Sequence, residues 1–185
     1  MIHIAKWAMK FRLLMMNMIE KKSILVVIVN YQTPGLTIDA LASLQAQRAN
    51  MSDMQVVVTN APAGDDSEQR ITDAITERGW ESWVTFKQLE HNGGFAYGNN
   101  AAIVPAIKSE NPPAYVLLLN PDTVVREGAI ASLYAFLESH PKAGLVGSRL
   151  EDPDGTPQAS AFRFPGILSE LISTMRLGLL SKLLS

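Results

Sequence analysis

The sequence predicts an α/β protein in which helices cover both faces of a mostly parallel sheet. Short, continuous apolar runs rich in β-branched residues, such as SILVVIVNY at residues 23–31 and QVVVTN at residues 55–60, are typical of strands covered on both faces. Segments in which apolar residues recur at helical spacing alternate with these runs along most of the chain. Such alternation favours parallel pairing, because each crossover helix returns the chain to the same end of the sheet.

Each element follows from a local pattern of this kind. The predicted strands are residues 23–31, 55–60, 83–90, 115–119 and 143–150, and the predicted helices are residues 36–48, 67–78, 101–109, 127–139 and 167–184. A glycine-rich turn is predicted at residues 91–100, and a second turn at residues 151–158. Pro105 lies inside a predicted helix, where it should kink the helix or expose one carbonyl.

Composition limits the class of protein. Of the 185 residues, 47% are hydrophobic and 18% are charged, which supplies a real core and argues against disorder. The net charge of -2 provides no positive field for nucleic acid. The chain has no cysteine, which excludes disulfides, thiolate metal sites and thiol catalysis. No apolar run reaches the roughly 18 residues expected of a spanning helix.

Residues 1–22 are predicted to form an extension upstream of the domain. They contain basic residues, including Lys6 and Lys10, and apolar residues at helical spacing, including Trp7 and Phe11. A poorly ordered extension is one interpretation, and a basic amphipathic segment on a membrane surface is the other. An uninterrupted apolar segment and a small-residue cleavage site, which a signal peptide requires, are not visible.

Polar residues follow the predicted strands at the point where each strand ends. The clusters are Asn30-Tyr31, Thr59-Asn60 and residues 120–122 (Asn-Pro-Asp), and the glycine-rich turn follows a further strand. In open α/β sheets ligands bind beyond the carboxyl ends of the strands. If the strands are parallel, all four clusters meet at one edge of the sheet.

Asp122 is the strongest candidate for a metal ligand. Pro121 holds the preceding residue extended, so Asp122 leaves the strand in a fixed direction. A carboxylate in this position suits a hard cation such as Mg²⁺ or Mn²⁺, which prefers one or two carboxylates together with substrate phosphates. The alternative is that Asp122 only caps the turn.

The other polar residues each have two interpretations. In one interpretation, the glycines of the turn NGGFAYGN let the backbone approach a phosphate; in the other, they serve the turn and helix packing. The turn does not match the dinucleotide or Walker fingerprints. Tyr31 stacks on a base or is a strand-end aromatic. His91 is an acid or base, or a surface residue. Asp65 and Asp66 form a metal pair, or a solvated loop and helix cap.

Five segments in order resemble the N-terminal part of a family 2 glycosyltransferase with a GT-A (Rossmann-like) fold, of the rhamnosyltransferase-like kind. They are VVIVNYQTPGLTIDALASL, VVVTN, NGGFAYGNN, LLLNPDTVVREGAI and HPKAGLVGSRLEDPDGTPQASAFRFP. The resemblance covers roughly residues 23–165. It implies a donor-binding domain over that range, followed by an amphipathic C-terminal helix at residues 166–185.

The resemblance also implies the ligands. The donor would be a nucleotide-diphosphate sugar, dTDP- or UDP-linked, and the cofactor Mg²⁺ or Mn²⁺ held by Asp122. The residues implied to lie near the donor are Asn30, Tyr31, Asn60, Gly94, Phe95 and Asn120. The reaction would invert the anomeric carbon with a carboxylate as general base. The acceptor would be a saccharide or lipid-linked saccharide of the cell envelope, reached in the cytoplasm or at the inner face of the cell membrane.

Two departures from the family pattern qualify this expectation. Thr59 stands where such enzymes usually carry an acid that accepts a hydrogen bond from the pyrimidine ring. Nothing after residue 165 matches the acceptor-side half with its Glu-Asp segment, so the general base is expected to be missing and the domain truncated. The alternative function is a non-catalytic fragment that binds nucleotide sugar or a partner. Exposed apolar surface in such a fragment predicts self-association.

Overall fold

A computed structural model describes residues 23–49, 51 and 53–159 of the chain. Four strands form one sheet in the order β3-β2-β1-β4, and every neighbouring pair is parallel. The strands are β1 (Ile24–Asn30), β2 (Met54–Asn60), β3 (Val84–Gln88) and β4 (Tyr115–Leu119). The described helices are α1 (Pro34–Gln47), α2 (Ser67–Glu77), α3 (Gly94–Ile107) and α4 (Ala129–Ser139).

Helices cover both faces of the sheet, as predicted. One face carries Val26 and Ile28 of β1 and packs against α1 and α2, whose contributions include Leu41 and Ile71; α4 adds Ile130 at the same face. The opposite face carries Leu25 and Val27 of β1 and packs against α3. Alternate residues of β1 therefore serve two cores, which explains why the strand is apolar throughout rather than alternating.

β4 is less buried than β1 and β2. It lies at the edge of the sheet, and only Leu119 of its five residues is fully buried. Val116 and Leu118 lie opposite Leu25 and Val27 in register, hence on the α3 face, and Leu118 is 50% exposed. The physical reason is that α3 packs over β1 and β2, so it leaves the α3 side of β4 open.

α3 begins seven residues earlier than the predicted helix at residues 101–109. The glycine-rich segment is the first part of this helix rather than a turn that precedes it. Glycine is a poor helix former, by about 1 kcal/mol relative to alanine, which is why helical propensity pointed to a later start. Packing overrides propensity here: a β-carbon on Gly98 would lie 2.7 Å from Val29 Cγ1, so only glycine lets α3 sit this close to the sheet.

Pro105 leaves a carbonyl that a side chain from the sheet satisfies. α3 continues to Ile107, two residues beyond the proline. Proline has no N–H, so the carbonyl of Ala101, four residues earlier, loses its usual helical donor. Lys87 of β3 donates to that carbonyl through Nζ at 2.9 Å. Pro105 therefore frees the carbonyl of Ala101 from its helical donor, as expected, and Lys87 takes the place of that donor.

The predicted strand at residues 143–150 is wrong. This segment has no regular secondary structure, and Leu145 within it is 93% exposed. An apolar run forms a strand only where it finds a pairing partner, and these residues form no ladder with β4. The turn that follows is confirmed: Glu151 and Pro157 form an isolated antiparallel bridge. Within that turn, hydrogen bonds from Thr156 hold the pKa of the exposed Asp154 below its ordinary value.

The remaining predicted elements differ from the observed ones by a few residues at their ends. The predictions that concern residues 1–22 and the helix at residues 167–184 lie outside the described residues. Among the described helices, none is both long and apolar enough to cross a membrane.

The close approach of α3 to the sheet predicts that Gly98→Ala destabilises the protein. The added methyl group meets Val29 at 2.7 Å, and overpacking of this kind costs about 1–3 kcal/mol, more than the helix propensity that alanine regains. The measurement is the free energy of unfolding in urea. Gly144→Ala is the matched control, because a β-carbon there meets no atom within 4 Å. Equal stability of the two variants would contradict the packing argument.

The contact between Lys87 and Ala101 predicts coupling between Lys87 and Pro105. Lys87→Met should lower the free energy of unfolding by about 0.5–1 kcal/mol in the native background. In a Pro105→Ala background the same substitution should cost less, because the restored N–H of residue 105 already satisfies the carbonyl. A double-mutant cycle measures the difference. Additive effects of the two substitutions would show that the hydrogen bond is not made.

Candidate functional site

The carboxyl ends of the four strands lie at one edge of the sheet, because all three strand pairs are parallel. Register places Asn30 opposite Asn60, and Asn60 opposite Gln88. β4 pairs with β1 as far as Leu119, so residues 120–122 leave the sheet beside the end of β1. The expected convergence of the polar strand ends is confirmed.

Three amide side chains form a hydrogen-bonded chain across the ends of β1, β2 and β3. Asn30 donates through Nδ2 to Asn60 Oδ1 at 2.6 Å, and Asn60 donates through Nδ2 to Gln88 Oε1 at 2.8 Å. Asn30 Oδ1 accepts from the hydroxyls of Thr37 at 2.8 Å and Thr33 at 3.2 Å. Because Asn30 and Asn60 are buried, their amides rely on these side chains rather than on water for hydrogen bonds. We refer to Asn30, Asn60 and Gln88 as the amide chain.

The amide chain fixes the loop that carries Tyr31. Thr33 and Thr37, whose hydroxyls hold Asn30, lie directly before and within the first turn of α1. Between them and β1, Gln32 adopts φ 58°, a left-handed conformation that is rare outside glycine and asparagine. Tyr31, next to it, is 48% exposed. The loop after β1, which is held by the hydrogen bonds of Asn30, therefore exposes the ring of Tyr31 to solvent at the sheet edge. A stacking role requires such exposure.

α3 opens at the same edge, because it follows β3 directly. Gly94 has φ 79°, which favours glycine, and its N–H donates to Asn92 Oδ1 at 3.0 Å. Phe95 in the first turn is 52% exposed. The first turn of a helix bears a partial positive charge that favours anions. His91 packs its ring on Tyr97 with centroids 4.5 Å apart, on the surface as the second of its two interpretations had it.

Asp122 is exposed and makes no hydrogen bond or ion pair with any of the described residues. Asn120 is exposed beside it, and its carbonyl accepts from the N–H of Thr123, which closes the turn after β4. In the described ranges no three His, Asp or Glu side chains gather around a common point. The donor set thus fits a hard cation that takes one carboxylate from the protein and its other ligands from phosphate and water. It does not fit an all-protein cage.

Asp65 and Asp66 support the start of α2 rather than a metal. Asp65 Oδ2 accepts from the Ser67 hydroxyl at 2.6 Å, and Asp66 pairs with Arg70 at 3.8 Å. Both contacts are local, one at sequence separation two and one at separation four. The interpretation as a loop and helix start is the one observed.

Thr59 points away from the amide chain. It alternates with Asn60 along β2 and therefore faces α3, where a β-carbon on Gly98 would lie 3.2 Å from its Oγ1. The side chain is fully buried, and its hydroxyl has no hydrogen-bond partner among the described residues. A residue enclosed beneath α3 does not reach solvent at the sheet edge, so Thr59 does not take over the role of an exposed acid.

Sequence reasoning did not find Gln88 or Thr37. Gln88 ends β3 and extends the amide chain to a third strand, and Thr37 supplies one of the two hydroxyls that fix Asn30. The signal for Gln88 was its register position opposite Asn60, which requires the pairing of β2 with β3 to be known. The signal for Thr37 was a hydroxyl one turn into the helix that follows a buried asparagine.

Comparison with known proteins identifies the family. The family model described as Glycosyl transferase family 2 matches residues 25–179, which is most of the chain. The chain belongs to glycosyl transferase family 2. The matched region contains all of the sheet except Ile24, and every site residue described above. No match is found among the curated proteins.

Solved structures share the fold of this family 2 chain. A mannosyltransferase, PcManGT from Pyrobaculum calidifontis in complex with GDP-Man and Mn²⁺, matches 63% of this chain and 32% of its own, at 17% identity and a TM-score of 0.55. S. aureus TarS 1-349 in complex with UDP-GlcNAc matches 64% of this chain and 32% of its own, at 23% identity and a TM-score of 0.52. The chain therefore spans about a third of the length of these structures.

The amide chain predicts that Asn60→Ala destabilises the protein. The substitution leaves the buried Nδ2 of Asn30 without an acceptor, and an unsatisfied buried donor costs about 1–3 kcal/mol. The free energy of unfolding, measured with urea, tests this. Asn100→Ala on the exposed side of α3 removes the same side chain and should change stability little. A cost at Asn60 no larger than that at Asn100 would show that the chain of amides contributes nothing.

Proposed function

We propose that this chain is the donor-binding part of a glycosyltransferase that transfers a sugar from a nucleotide-diphosphate donor. The observation that supports the proposal best is the meeting of three features at one sheet edge: Asp122, the presented ring of Tyr31, and the first turn of α3. An anionic diphosphate with a flat base needs a cation, a stacking surface and a partial positive charge. Membership of family 2 supports the same class of reaction.

Asp122 is the proposed ligand of Mg²⁺ or Mn²⁺. When bound, the cation would neutralise the diphosphate and stabilise it as the leaving group. The role of Asp122 is to hold that cation at the end of β4, on a strand anchored to the centre of the sheet. The exposed carboxylate is engaged by none of the described residues, so it is available to a ligand without breaking an internal contact. The relative from P. calidifontis was solved with GDP-Man and Mn²⁺.

Tyr31 and Phe95 are the proposed apolar contacts of the donor. Both rings are about half exposed, and each is held on an element that begins or ends at the strand-end edge. Asn120 is exposed at the same edge and stays a predicted donor contact. Gly94 admits a close approach of backbone to the donor, because it has no side chain at the start of α3.

Asn30 and Asn60 have a different proposed part. Their amides are buried and bound to one another, so we assign them the positioning of Tyr31 and the strand ends rather than direct contact with the nucleotide. This sharpens the expectation that all these residues line the donor pocket.

The finer points of the reaction are proposals that rest on the resemblance. They are an inverting transfer, a dTDP- or UDP-linked donor, a saccharide acceptor of the cell envelope and a location in the cytoplasm or at the inner face of the cell membrane. The two solved complexes described above carry GDP-Man and UDP-GlcNAc, so family membership supports a nucleotide sugar without choosing one. An inverting transfer needs a carboxylate base near the acceptor hydroxyl, and the structure assigns that role to no described residue.

The second candidate is a non-catalytic domain that binds the nucleotide sugar or a partner chain. The observation that favours it is that none of the described carboxylates is assigned the role of general base. Donor binding is common to both candidates. Turnover separates them.

Asp122→Asn should abolish the part of donor affinity that depends on metal. Isothermal titration with UDP- and dTDP-sugars, with and without Mn²⁺, should show affinity roughly tenfold weaker in the variant when Mn²⁺ is present, about 1.4 kcal/mol, and little change without it. Asp39→Asn is the matched control, because it removes the same charge from the exposed side of α1. Absence of nucleotide-sugar binding by the native chain under both conditions would falsify the proposed function.

Turnover by the full chain distinguishes the two candidates. The transferase hypothesis predicts release of nucleoside diphosphate from the donor, by transfer to added saccharide or by slow hydrolysis, and dependence of that release on Asp122. The measurement is a coupled assay for the released diphosphate with Mn²⁺ present. Binding without release favours the non-catalytic domain, and release that persists in Asp122→Asn contradicts the metal assignment.

A further inference from the structure

An apolar groove of about 370 Å³ lies between β4 and α4, and Ile24 at the start of β1 also lines it. Tyr115 and Leu117 of β4 form one wall, Leu133 and Leu137 of α4 form the other, and Leu145 lies at the rim. The groove lies beside the free edge of the sheet and contains none of the proposed donor contacts. Leu145 is 93% exposed, so the rim is open to solvent.

The two edges of the sheet differ in their protection. The β3 edge carries Lys87, whose ammonium donates to the carbonyl of Ala101 in α3. A charged residue of this kind discourages pairing with another chain. The β4 edge has the sequence YVLLL, with no charge and no proline. An unprotected apolar edge beside an apolar groove is a surface that proteins normally cover.

The chain itself contains a segment suited to this groove. Residues 160–185 lie beyond the described part, and within them Leu168, Leu171, Ile172, Met175 and Leu179 recur at the spacing of one helical face. The family match continues to residue 179, twenty residues past the last described one, so most of this segment belongs to the family domain rather than to an unrelated tail.

Residues 160–166, which connect the described chain to this segment, are long enough for the segment to reach the groove. Arg126, just before α4, forms an ion pair with Glu151, and the N–H of Gln158 donates to the carbonyl of Leu150 at 2.8 Å. The described chain therefore ends close to the start of α4. Residues 160–166 can span up to about 24 Å when extended, whereas the eleven residues of α4 are only about 16 Å long.

We propose that the apolar face of residues 167–184 docks in the groove between β4 and α4 and covers the free edge of the sheet. A tethered segment has an effective concentration in the millimolar range, well above that of a second copy at the usual micromolar concentrations. The chain's own segment therefore has the advantage over another molecule for the same surface. The inference does not depend on the proposed transfer, since donor binding and docking use different faces.

Cysteine cross-linking in the full chain tests the docking. The native sequence has no cysteine, so two introduced cysteines are the only thiols. Leu145→Cys at the exposed rim is combined in turn with Leu168→Cys, Leu171→Cys, Ile172→Cys or Met175→Cys. Under mild oxidation, intramolecular disulfides should form several-fold faster in the best of these pairs than in controls that combine Leu145→Cys with Glu170→Cys or Ser173→Cys on the opposite face.

Mass spectrometry and non-reducing gels separate the outcomes. Monomeric cross-linked product with a preference for the apolar face supports the docking. Disulfide-linked dimers as the main product would show that a second copy covers the groove, and equal rates on both faces would show that nothing specific docks. Either result overturns the proposal.

Hydrogen exchange provides a second readout that needs no cross-link. Met175→Glu should speed exchange of amides in β4 and α4 several-fold, because it places a charge on the docking face. Ser173→Glu adds the same charge on the other face and should leave those amides unchanged. Both substitutions lie outside the described core. Identical exchange in the two variants would also overturn the proposal.

Discussion

The parallel, in-register pairing of β1 with both β2 and β4 is the constraint on which the rest of the structure depends. β1 is buried on both faces and supplies alternate side chains to two separate cores. Because its neighbours run in the same direction, the loops that follow three adjacent strands open at one edge. Every element of the candidate site inherits its place from that pairing: the loop after β1, the amides that end β2 and β3, and the acid that follows β4.

The pattern of apolar residues in the sequence was sufficient to predict the two central strands, β1 and β2. β1 and β2 were predicted to within a residue or two because an apolar run covered on both faces has few other solutions in a chain of this length. The early start of α3 was missed because it depends on the packing of Gly98 against Val29, two residues that are far apart in the sequence. That packing outweighs the low helical propensity of glycine. Residues 143–150 have strand-like composition but no partner, and composition does not reveal whether a partner exists.

The candidate site shows the same division. Asp122 and Tyr31 were predicted as site residues because each stands just beyond a recognisable strand, and strand ends are where α/β proteins bind ligands. Gln88 was missed because its significance comes from its place opposite Asn60. Thr59 was recognised as a departure from the usual acid, but its burial beneath α3 could not be read from the sequence. A residue's place along a strand indicates that it lies near the site. Which way it faces depends on the register and on the helix above it.

The amide chain has one consequence for the chemistry of the site. Asn30, Asn60 and Gln88 are uncharged, and the hydroxyls of Thr33 and Thr37 that bind Asn30 are uncharged as well. None of these groups gains or loses a proton in the range where proteins are stable. The platform beneath the site therefore keeps its hydrogen bonds from acid to alkaline solution. Any pH dependence of ligand binding would then report on the ligand, the cation and the carboxylate of Asp122, and not on rearrangement of the amide chain.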